Sequence, residues 1–184
     1  MIYLASTSPR RKKLLKEAGI AYKTLKPDYI EKNESHIPPA ALVKKHALAK
    51  AASCISKISE GRILGSDTLV YCDDRIIGKP KDRQDAFEIL SQLQGRWHTV
   101  YTGVAILDVQ NSQITSRNIF SEKTRVCLKP MDAAAIKNYF KKINPMDKAG
   151  AYAIQTKQTN IIAEVKGSLS NAIGLPVEQL KKYF

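Results

Sequence analysis

The sequence of 184 residues has few cysteines, few acidic residues and no long apolar run. Its three cysteines, Cys54, Cys72 and Cys127, show no CxxC spacing, which argues against a disulfide framework or a structural zinc site and favours a reducing compartment. No apolar run reaches the roughly 18 residues that a membrane-spanning helix needs, and the first residues lack the charged-then-apolar order of a signal peptide. We therefore expect a cytoplasmic protein that has no membrane partner.

Acidic residues are outnumbered, with 17 Asp and Glu against 30 Lys and Arg and a net charge of +13. This excess favours an anionic partner, such as nucleic acid, an acidic membrane surface or a phosphorylated small molecule, although it also serves general solubility. A nucleic-acid-binding module would combine a basic face with exposed aromatic residues. The tyrosines are scattered and Trp97 is the single tryptophan, so nucleic acid is the less favoured partner.

Strand-like and helix-like segments alternate along the chain, which is typical of the α/β class. Two long predicted strands, 98–109 and 113–128, meet at Asn111 and Ser112 and predict a hairpin, so the sheet should be mixed rather than all parallel. At this length we expect one domain over residues 1–184, at most divided into two lobes around a cleft. The other predicted strands are 1–5, 20–25, 63–71, 152–155 and 160–165, and the predicted helices are 9–18, 40–59, 82–93, 132–142 and 177–183.

The stretch STSPRR, which begins at Ser6, places positive charge where a helix repels it. Ser8 and Pro9 are typical of a helix start, and a helix N-terminus carries partial positive charge that disfavours cations. A bound polyanion reverses this effect, because Arg10, Arg11 and the Ser6 hydroxyl would then donate hydrogen bonds to phosphate oxygens. The stretch therefore predicts a site for a phosphate chain, with a solvated basic face as the alternative. It is not a Walker loop, since the glycines and the GK[ST] ending are missing.

A carboxylate interrupts an apolar strand at Asp67, within the sequence GSDTLV. A buried carboxylate is costly unless it is paired or binds a metal, and a place near the end of a strand fits a cleft at the edge of an open sheet. Asp67 is therefore a candidate metal ligand or general base, with a turn or bulge as the structural alternative. Glu31, in a polar loop, could complete a carboxylate pair for a divalent cation such as Mg²⁺.

Two lysines and a glutamine have positions that suit ligand binding. Lys50 shares a helical face with Ala47 and Cys54, and Lys79 is held between a glycine and a proline, so either lysine could neutralise phosphate charge. Gln155 follows a run of small residues, and its amide could read the edge of a base. Taken singly, each of the three is more readily explained as a surface residue.

Seven stretches together resemble the Maf family of nucleotide pyrophosphatases, in the family's order and over essentially the whole chain. They are STSPRR at 6–11, ALAKA at 47–51, GSDTLV at 65–70, GKP at 78–80, HTVYTGVAI at 98–106, DKAGAY at 147–152 and GLP at 174–176. The resemblance implies an α/β fold with a mixed, bent β-sheet flanked by helices and a deep cleft, similar to inosine triphosphate pyrophosphatases. It also implies hydrolysis of a nucleoside triphosphate between its α and β phosphates with a divalent metal cation, Mg²⁺ or Mn²⁺.

The same resemblance implies roles for individual residues. The side chains that would grip the triphosphate are Ser6, Arg10 and Arg11, joined by the catalytic lysines Lys50 and Lys79. Asp67 would be the catalytic proton acceptor, acting directly or through the metal. Glu31 would be the second functional carboxylate, so Glu31 and Asp67 would together hold the metal.

Three residues match one branch of the family. Arg10, Thr68 and Gln155 resemble the members that act on dTTP and UTP, whereas the branch active on 7-methyl-GTP has Trp, Gln and Glu at these positions. The resemblance therefore implies substrate binding by these side chains and a house-cleaning hydrolysis of pyrimidine triphosphates, modified ones included. Thr156 departs from this branch, in which glycine is frequent there, and bears on the shape of the base pocket. A monomer and a homodimer are both compatible with the sequence.

Overall fold

The computed structural model describes residues 1–32, 34, 36–155 and 160–184. Within them the chain forms seven strands: β1 (Ile2–Ala5), β2 (Lys23–Leu25), β3 (Glu60–Cys72), β4 (Arg75–Ile77), β5 (Trp97–Gln110), β6 (Gln113–Leu128) and β7 (Ile162–Lys166). The helices of this part of the chain are α1 (Pro9–Glu17), α2 (Pro39–Ala52), α3 (Arg83–Leu93), α4 (Ala133–Lys142), α5 (Leu169–Ile173) and α6 (Val177–Leu180). None of these helices is long and apolar enough to cross a membrane.

The strands belong to one mixed sheet, in the order β2-β1-β3-β5-β6-β7, with β4 paired to β3. Strand β1 runs parallel to β2 and β3, and the remaining pairs are antiparallel. Strands β5 and β6 form the predicted hairpin, and its turn residues Asn111 and Ser112 have the positive φ angles, 50° and 57°, of a two-residue hairpin turn. The predicted α/β class with a mixed sheet is confirmed.

Helix α2 lies directly on the sheet because two glycines leave room for its backbone. A Cβ atom on Gly65 of β3 would lie 2.2 Å from the carbonyl oxygen of Ala47, and one on Gly103 of β5 would lie 2.2 Å from that of Val43. Both distances are too short for any side chain at these two positions. The two glycines therefore fix how closely α2 approaches the strands, and with it the position of every side chain that α2 points at the sheet.

Two of the apolar cores attach α1, α3 and α4 to the sheet. One contains Leu90 of α3 and Ile136 of α4, packed with residues of β3, β5 and β6. The other contains Leu15 of α1 together with Leu4 of β1 and Leu175, which follows α5. Burial of aliphatic side chains on this scale is the main favourable contribution to folding. Helix α1 therefore packs on the second core, whereas the segment after α4 packs on the first.

The structure departs from the sequence predictions in three places. Residues 152–155 form no strand, because Gly150 and Ala151 just before them have φ angles of 74° and 59° and turn the chain out of an extended path. The helix predicted over 40–59 ends at Ala52 and is followed by a short 3₁₀ turn, Ile55–Lys57. Helix α5 is missed by the sequence pattern, since five residues are too few to show a helical period.

Candidate active site

One cleft of about 430 Å³ contains all the side chains that the sequence singles out. Its walls come from the loop between β1 and α1, the loop before α2, strand β3, the segment after α4 and the end of α5. A volume of this size is in the ordinary range for a site that binds a small molecule. The predicted site residues that line it are Ser6, Arg10, Arg11, Glu31, Lys50, Asp67, Thr68, Lys79 and Gln155.

A lysine and two carboxylates form the charged centre of the cleft. Lys50 Nζ lies 2.6 Å from Asp67 Oδ1 and also contacts Glu31 Oε1. Lys50 and Asp67 are only 7 % and 5 % exposed, so their charges are removed from water and depend on each other. Glu31 lies closer to the rim. Desolvation alone would raise the pKa of Glu31, but the positive charges of Lys50, Lys79 and Arg11 lower it below the ordinary value.

The pleat of β3 explains why Asp67 meets Lys50. Side chains two residues apart on a strand point to the same face, so Asp67 shares a face with Gly65, which touches α2. Asp67 is also the register partner of Gly103, the second glycine beneath α2. The carboxylate therefore points at the helix that carries Lys50. The predicted strand over 63–71 is confirmed, and the alternative of a turn or bulge at Asp67 is wrong, since β3 runs through these residues without a break or register shift.

Arg11 is held by three hydrogen bonds on the opposite face of β3. Its Nε donates to the carbonyl oxygen of Gly174 at 2.8 Å, Nη1 donates to Ser6 Oγ at 3.3 Å, and Nη2 donates to Thr68 Oγ1 at 3.1 Å. Burial lowers the pKa of Arg11, and the nearby charges of Asp67 and Glu31 partly offset that effect. Ser6, Arg11 and Thr68, which the sequence predicts as binding residues, are therefore one hydrogen-bonded group.

Arg10 reaches across the cleft to the segment after α4. Its Nη1 donates to Asp147 Oδ2 at 2.8 Å, and its Nη2 donates to the Asp147 carbonyl oxygen at 3.0 Å. Lys148 Nζ lies 2.6 Å from the other carboxylate oxygen of Asp147. Burial alone would raise the pKa of Asp147, but its bonds to Lys148 and Arg10 lower it. No role for Asp147 is predicted from the sequence. The residue appears there only as the first of the stretch DKAGAY, an acidic residue beside a lysine and small residues.

Lys79 and Gln155 complete the predicted set at the edges of the cleft. Lys79 is exposed, and its charge acts on Glu31. Gln155 is partly buried and belongs to a turn rather than to the end of a strand. Thr156, which bears on the shape of the base pocket, lies outside the described residues.

Two tyrosines of the cleft wall are supported by buried histidines. The Tyr29 hydroxyl lies 2.8 Å from His46 Nδ1, and the Tyr152 hydroxyl lies 2.7 Å from His98 Nε2. Both histidines are buried, and burial lowers the pKa of His98 to about 4, so its ring is neutral at pH 7. Both histidines are therefore structural residues behind the cleft wall. The sequence gives no indication of the tyrosines to which they bind.

The two carboxylates fit a divalent cation only with help from a ligand. Among the residues that the structure describes, no group of three or more His, Cys, Asp or Glu side chains could hold a metal. Glu31 and Asp67 do converge on one positive group, the Lys50 ammonium. A Mg²⁺ site commonly uses one or two protein carboxylates and completes its shell with substrate phosphates and water. The donor set therefore suits a cation that arrives with a phosphate ligand.

The fold and the cleft define an α/β protein with a mixed sheet. Its cleft has the volume of a small-molecule site and is lined by basic side chains around a buried carboxylate and lysine. The chain belongs to the Maf family, since the family model described as Maf-like protein matches residues 1–184. The dTTP/UTP pyrophosphatase of Pelotomaculum thermopropionicum is 39 % identical over 179 residues, which are 97 % of this chain and 92 % of that protein. The dTTP/UTP pyrophosphatase of Thermosipho melanesiensis is 40 % identical over 179 residues, or 97 % of this chain and 93 % of that protein.

A solved structure supports the fold alone. The Staphylococcus aureus Ham1 protein superposes with a TM-score of 0.51 at 14 % sequence identity, covering 100 % of this chain and 99 % of that one. Identity this low carries no information on substrate. Both the predicted family and the predicted fold class are confirmed.

Proposed function

We propose that this protein hydrolyses dTTP and UTP between the α and β phosphates, releasing the nucleoside monophosphate and pyrophosphate. The observation that carries the proposal is that Arg10, Arg11, Lys50 and Lys79 line the same cleft as the Asp67 and Glu31 carboxylates, which Lys50 contacts directly. Hydrolysis of a phosphoanhydride needs little covalent chemistry from the protein and much compensation of charge. The names of the two relatives direct the choice of base to pyrimidines. Modified pyrimidine triphosphates would be substrates too, in a house-cleaning role.

Each group has a part in this reaction. Arg11 uses three of its five N–H groups within the described part of the chain, which leaves two for phosphate oxygens. Arg10 and Lys79 add charge at the mouth of the cleft, and Lys50 stabilises the two carboxylates. Asp67 accepts a proton from the attacking water, as a general base would. A Mg²⁺ or Mn²⁺ ion held by Glu31 and Asp67 would supply further neutralisation of phosphate charge.

We assign recognition of the base to the part of the cleft that Gln155 lines. Gln155 offers an amide donor and acceptor beside the wall formed by Tyr152 and Ile154. Arg10 and Thr68 are the other two residues at which the family branches differ in the sequence analysis. We expect them to favour pyrimidines over 7-methylguanine, the base of the alternative substrate.

The test is release of pyrophosphate from dTTP, UTP, CTP, GTP and 7-methyl-GTP in the presence of Mg²⁺ or Mn²⁺. We expect turnover of dTTP and UTP, and a fall of about 10²- to 10⁴-fold in kcat for Asp67→Asn. Asp108→Asn is the matched control, because Asp108 pairs with Arg62 away from the cleft. A preference for 7-methyl-GTP would overturn the choice of base. If no triphosphate releases pyrophosphate, the proposed enzymatic function is wrong. Salt-dependent binding of nucleic acid that persists when Arg10 and Arg11 are replaced would favour a nucleic-acid-binding module instead.

We also propose that residues 1–184 act as one domain in the cytoplasm. The cleft draws residues from Ser6 to Gly174, so the domain that forms it has to include both ends of this span. Cys54, Cys72 and Cys127 are free thiols, as a reducing compartment would maintain.

A further inference from the structure

A buried threonine lies behind the arginine that we assign to the phosphates. Thr102 of β5 is 0 % exposed and does not line the cleft. Its Oγ1 lies 2.9 Å from the backbone carbonyl oxygen of Asn171 in α5 and 3.0 Å from Thr68 Oγ1. Thr68 in turn accepts the bond from Arg11 Nη2 at 3.1 Å. These contacts form a continuous chain from α5 to the guanidinium.

The direction of each hydrogen bond in this chain follows from the first one. A carbonyl oxygen can only accept, so Thr102 must use its single hydroxyl hydrogen on Asn171. Thr68 must then donate to Thr102, since the Thr102 hydrogen is already used. The Thr68 oxygen is left to accept from Arg11, which has only donors. A hydroxyl oxygen has two lone pairs besides its one hydrogen, so Thr68 can donate to Thr102 and accept from Arg11 at the same time.

We propose that Thr102 is a positioning residue for Arg11, because it takes up the Thr68 hydrogen and so fixes the direction of the Thr68 lone pair that accepts from Arg11. With Thr102 in place, the guanidinium is held at Nη2 as well as at Nε and Nη1, and its two remaining N–H groups keep one direction. Fixed donors bind a phosphate chain without a loss of side-chain freedom on binding. The same logic leaves Thr68 able only to accept toward a ligand, so the ligand atom beside it is an N–H or O–H group.

The variants Thr102→Val and Thr102→Ser separate the hydroxyl from the packing. Valine keeps the shape and removes the donor to Asn171, whereas serine keeps the hydroxyl. Thr124→Val is the matched control, since Thr124 is also 0 % exposed and also donates to a backbone carbonyl, that of Ser168; it lies 2.9 Å from the Asn171 side-chain amide, so it also controls for loss of a contact to Asn171, but it does not bond Thr68 or Arg11. With inorganic tripolyphosphate as the probe in calorimetry, we expect Thr102→Val to raise Kd about tenfold, as loss of one buried hydrogen bond would. Thr102→Ser should stay within about twofold of the wild type.

A double-mutant cycle tests whether Thr102 acts through Thr68. Adding Thr102→Val to Thr68→Val should raise Kd no further, because the acceptor that Thr102 orients is already gone. A merely structural role would make the two effects add. With dTTP as substrate, we expect Thr102→Val to raise KM and to leave kcat within about threefold, since it alters the grip on phosphate and not the attacking water.

Arg11 can also be observed without any ligand, which matters because the phosphate role of Arg11 rests on the proposed function. The guanidinium N–H resonances of Arg11, identified by their loss in Arg11→Lys, should exchange with water about tenfold faster in Thr102→Val and not in Thr124→Val. Equal exchange in Thr102→Val and Thr124→Val would overturn the positioning role even if the wild type hydrolyses dTTP. Faster exchange only in Thr102→Val would sustain it even if no triphosphate is hydrolysed.

Discussion

Replacing Lys50 with methionine removes the ammonium that lies between Asp67 and Glu31. Methionine has nearly the length of lysine and is apolar, so the packing of α2 changes little while the charge is lost. Asp67 is 5 % exposed and would be left as a buried carboxylate without its partner. Removing one member of a buried ion pair typically costs about 3–5 kcal/mol of unfolding free energy.

The loss should depend on pH through Glu31. Desolvation would raise the pKa of Glu31, but Lys50 lowers it, so the stabilisation of this carboxylate by Lys50 is present at pH 7 and is lost as pH falls through the pKa of Glu31 in the folded protein. The destabilisation by Lys50→Met should therefore be about 3–5 kcal/mol at pH 7 and smaller at pH 4, below the ordinary pKa of a glutamate. Acid should narrow the difference in unfolding free energy between the variant and the wild type.

Urea unfolding followed by the fluorescence of Trp97, the single tryptophan, measures both values. Lys45→Met is the matched control: Lys45 lies on the same helix and pairs with Glu34 at 2.7 Å, but its side chain is 50 % exposed. An exposed pair contributes about 0–1 kcal/mol. Equal losses for the two variants at pH 7, or a loss for Lys50→Met that is the same at pH 7 and pH 4, would refute the reasoning.

Two further predictions concern α2 and the cleft wall. Gly103→Ala would place a Cβ 2.2 Å from the Val43 carbonyl oxygen, so α2 must shift; we expect about 1–3 kcal/mol less stability and slower pyrophosphate release. Gly19→Ala is its control: a Cβ there meets open space, but φ is 73°, so we expect a strain of about 1–2 kcal/mol and no change in pyrophosphate release, and slower release in both variants would contradict the prediction. Burial lowers the pKa of His98 to about 4, so the unfolded chain alone binds a proton between about pH 6.5 and 4, and stability falls as pH drops through that range. His98→Gln should remove about 2 kcal/mol of the loss between pH 7 and pH 5 in urea unfolding, whereas His36→Gln, at an exposed site, should not.

Most of the fold could be predicted because its elements carry local patterns. The helices after Asp82 and Asp132 begin where an aspartate accepts the first backbone hydrogen bond, and the hairpin at Asn111 begins where two polar residues interrupt strand periodicity. The errors arise where a local pattern is too short or is overridden. Helix α5 has five residues, and the segment before Gln155 is turned by left-handed backbone that the sequence does not announce.

The candidate site could be predicted to the extent that its residues are chemically out of place. Arginines at a helix start, a carboxylate in an apolar strand and a lysine on a buried helical face all cost free energy unless a partner or ligand compensates. Their roles stay predictions, but the structure brings them into one cleft. Thr102 and Asp147 gave no such sign, because their partners Thr68 and Arg10 lie 34 and 137 residues away in the chain. Only the register of the sheet and the packing of α1 reveal these contacts.

The four residues from Gly65 to Thr68 connect the two halves of the site. Because strand side chains alternate between faces, Gly65 and Asp67 point to α2 and the Lys50 ammonium, while Ser66 and Thr68 point to Gly174 and Arg11. The carboxylate centre and the guanidinium anchor are thus built on opposite faces of one strand. A slip of one residue in the pairing of β3 with β5 would move the β3 side chains to the opposite face of the sheet. Such a slip would take Gly65 out from beneath α2, where a Cβ atom would collide with the helix backbone. The glycines that let the helix approach the sheet therefore also set which residues enter the cleft.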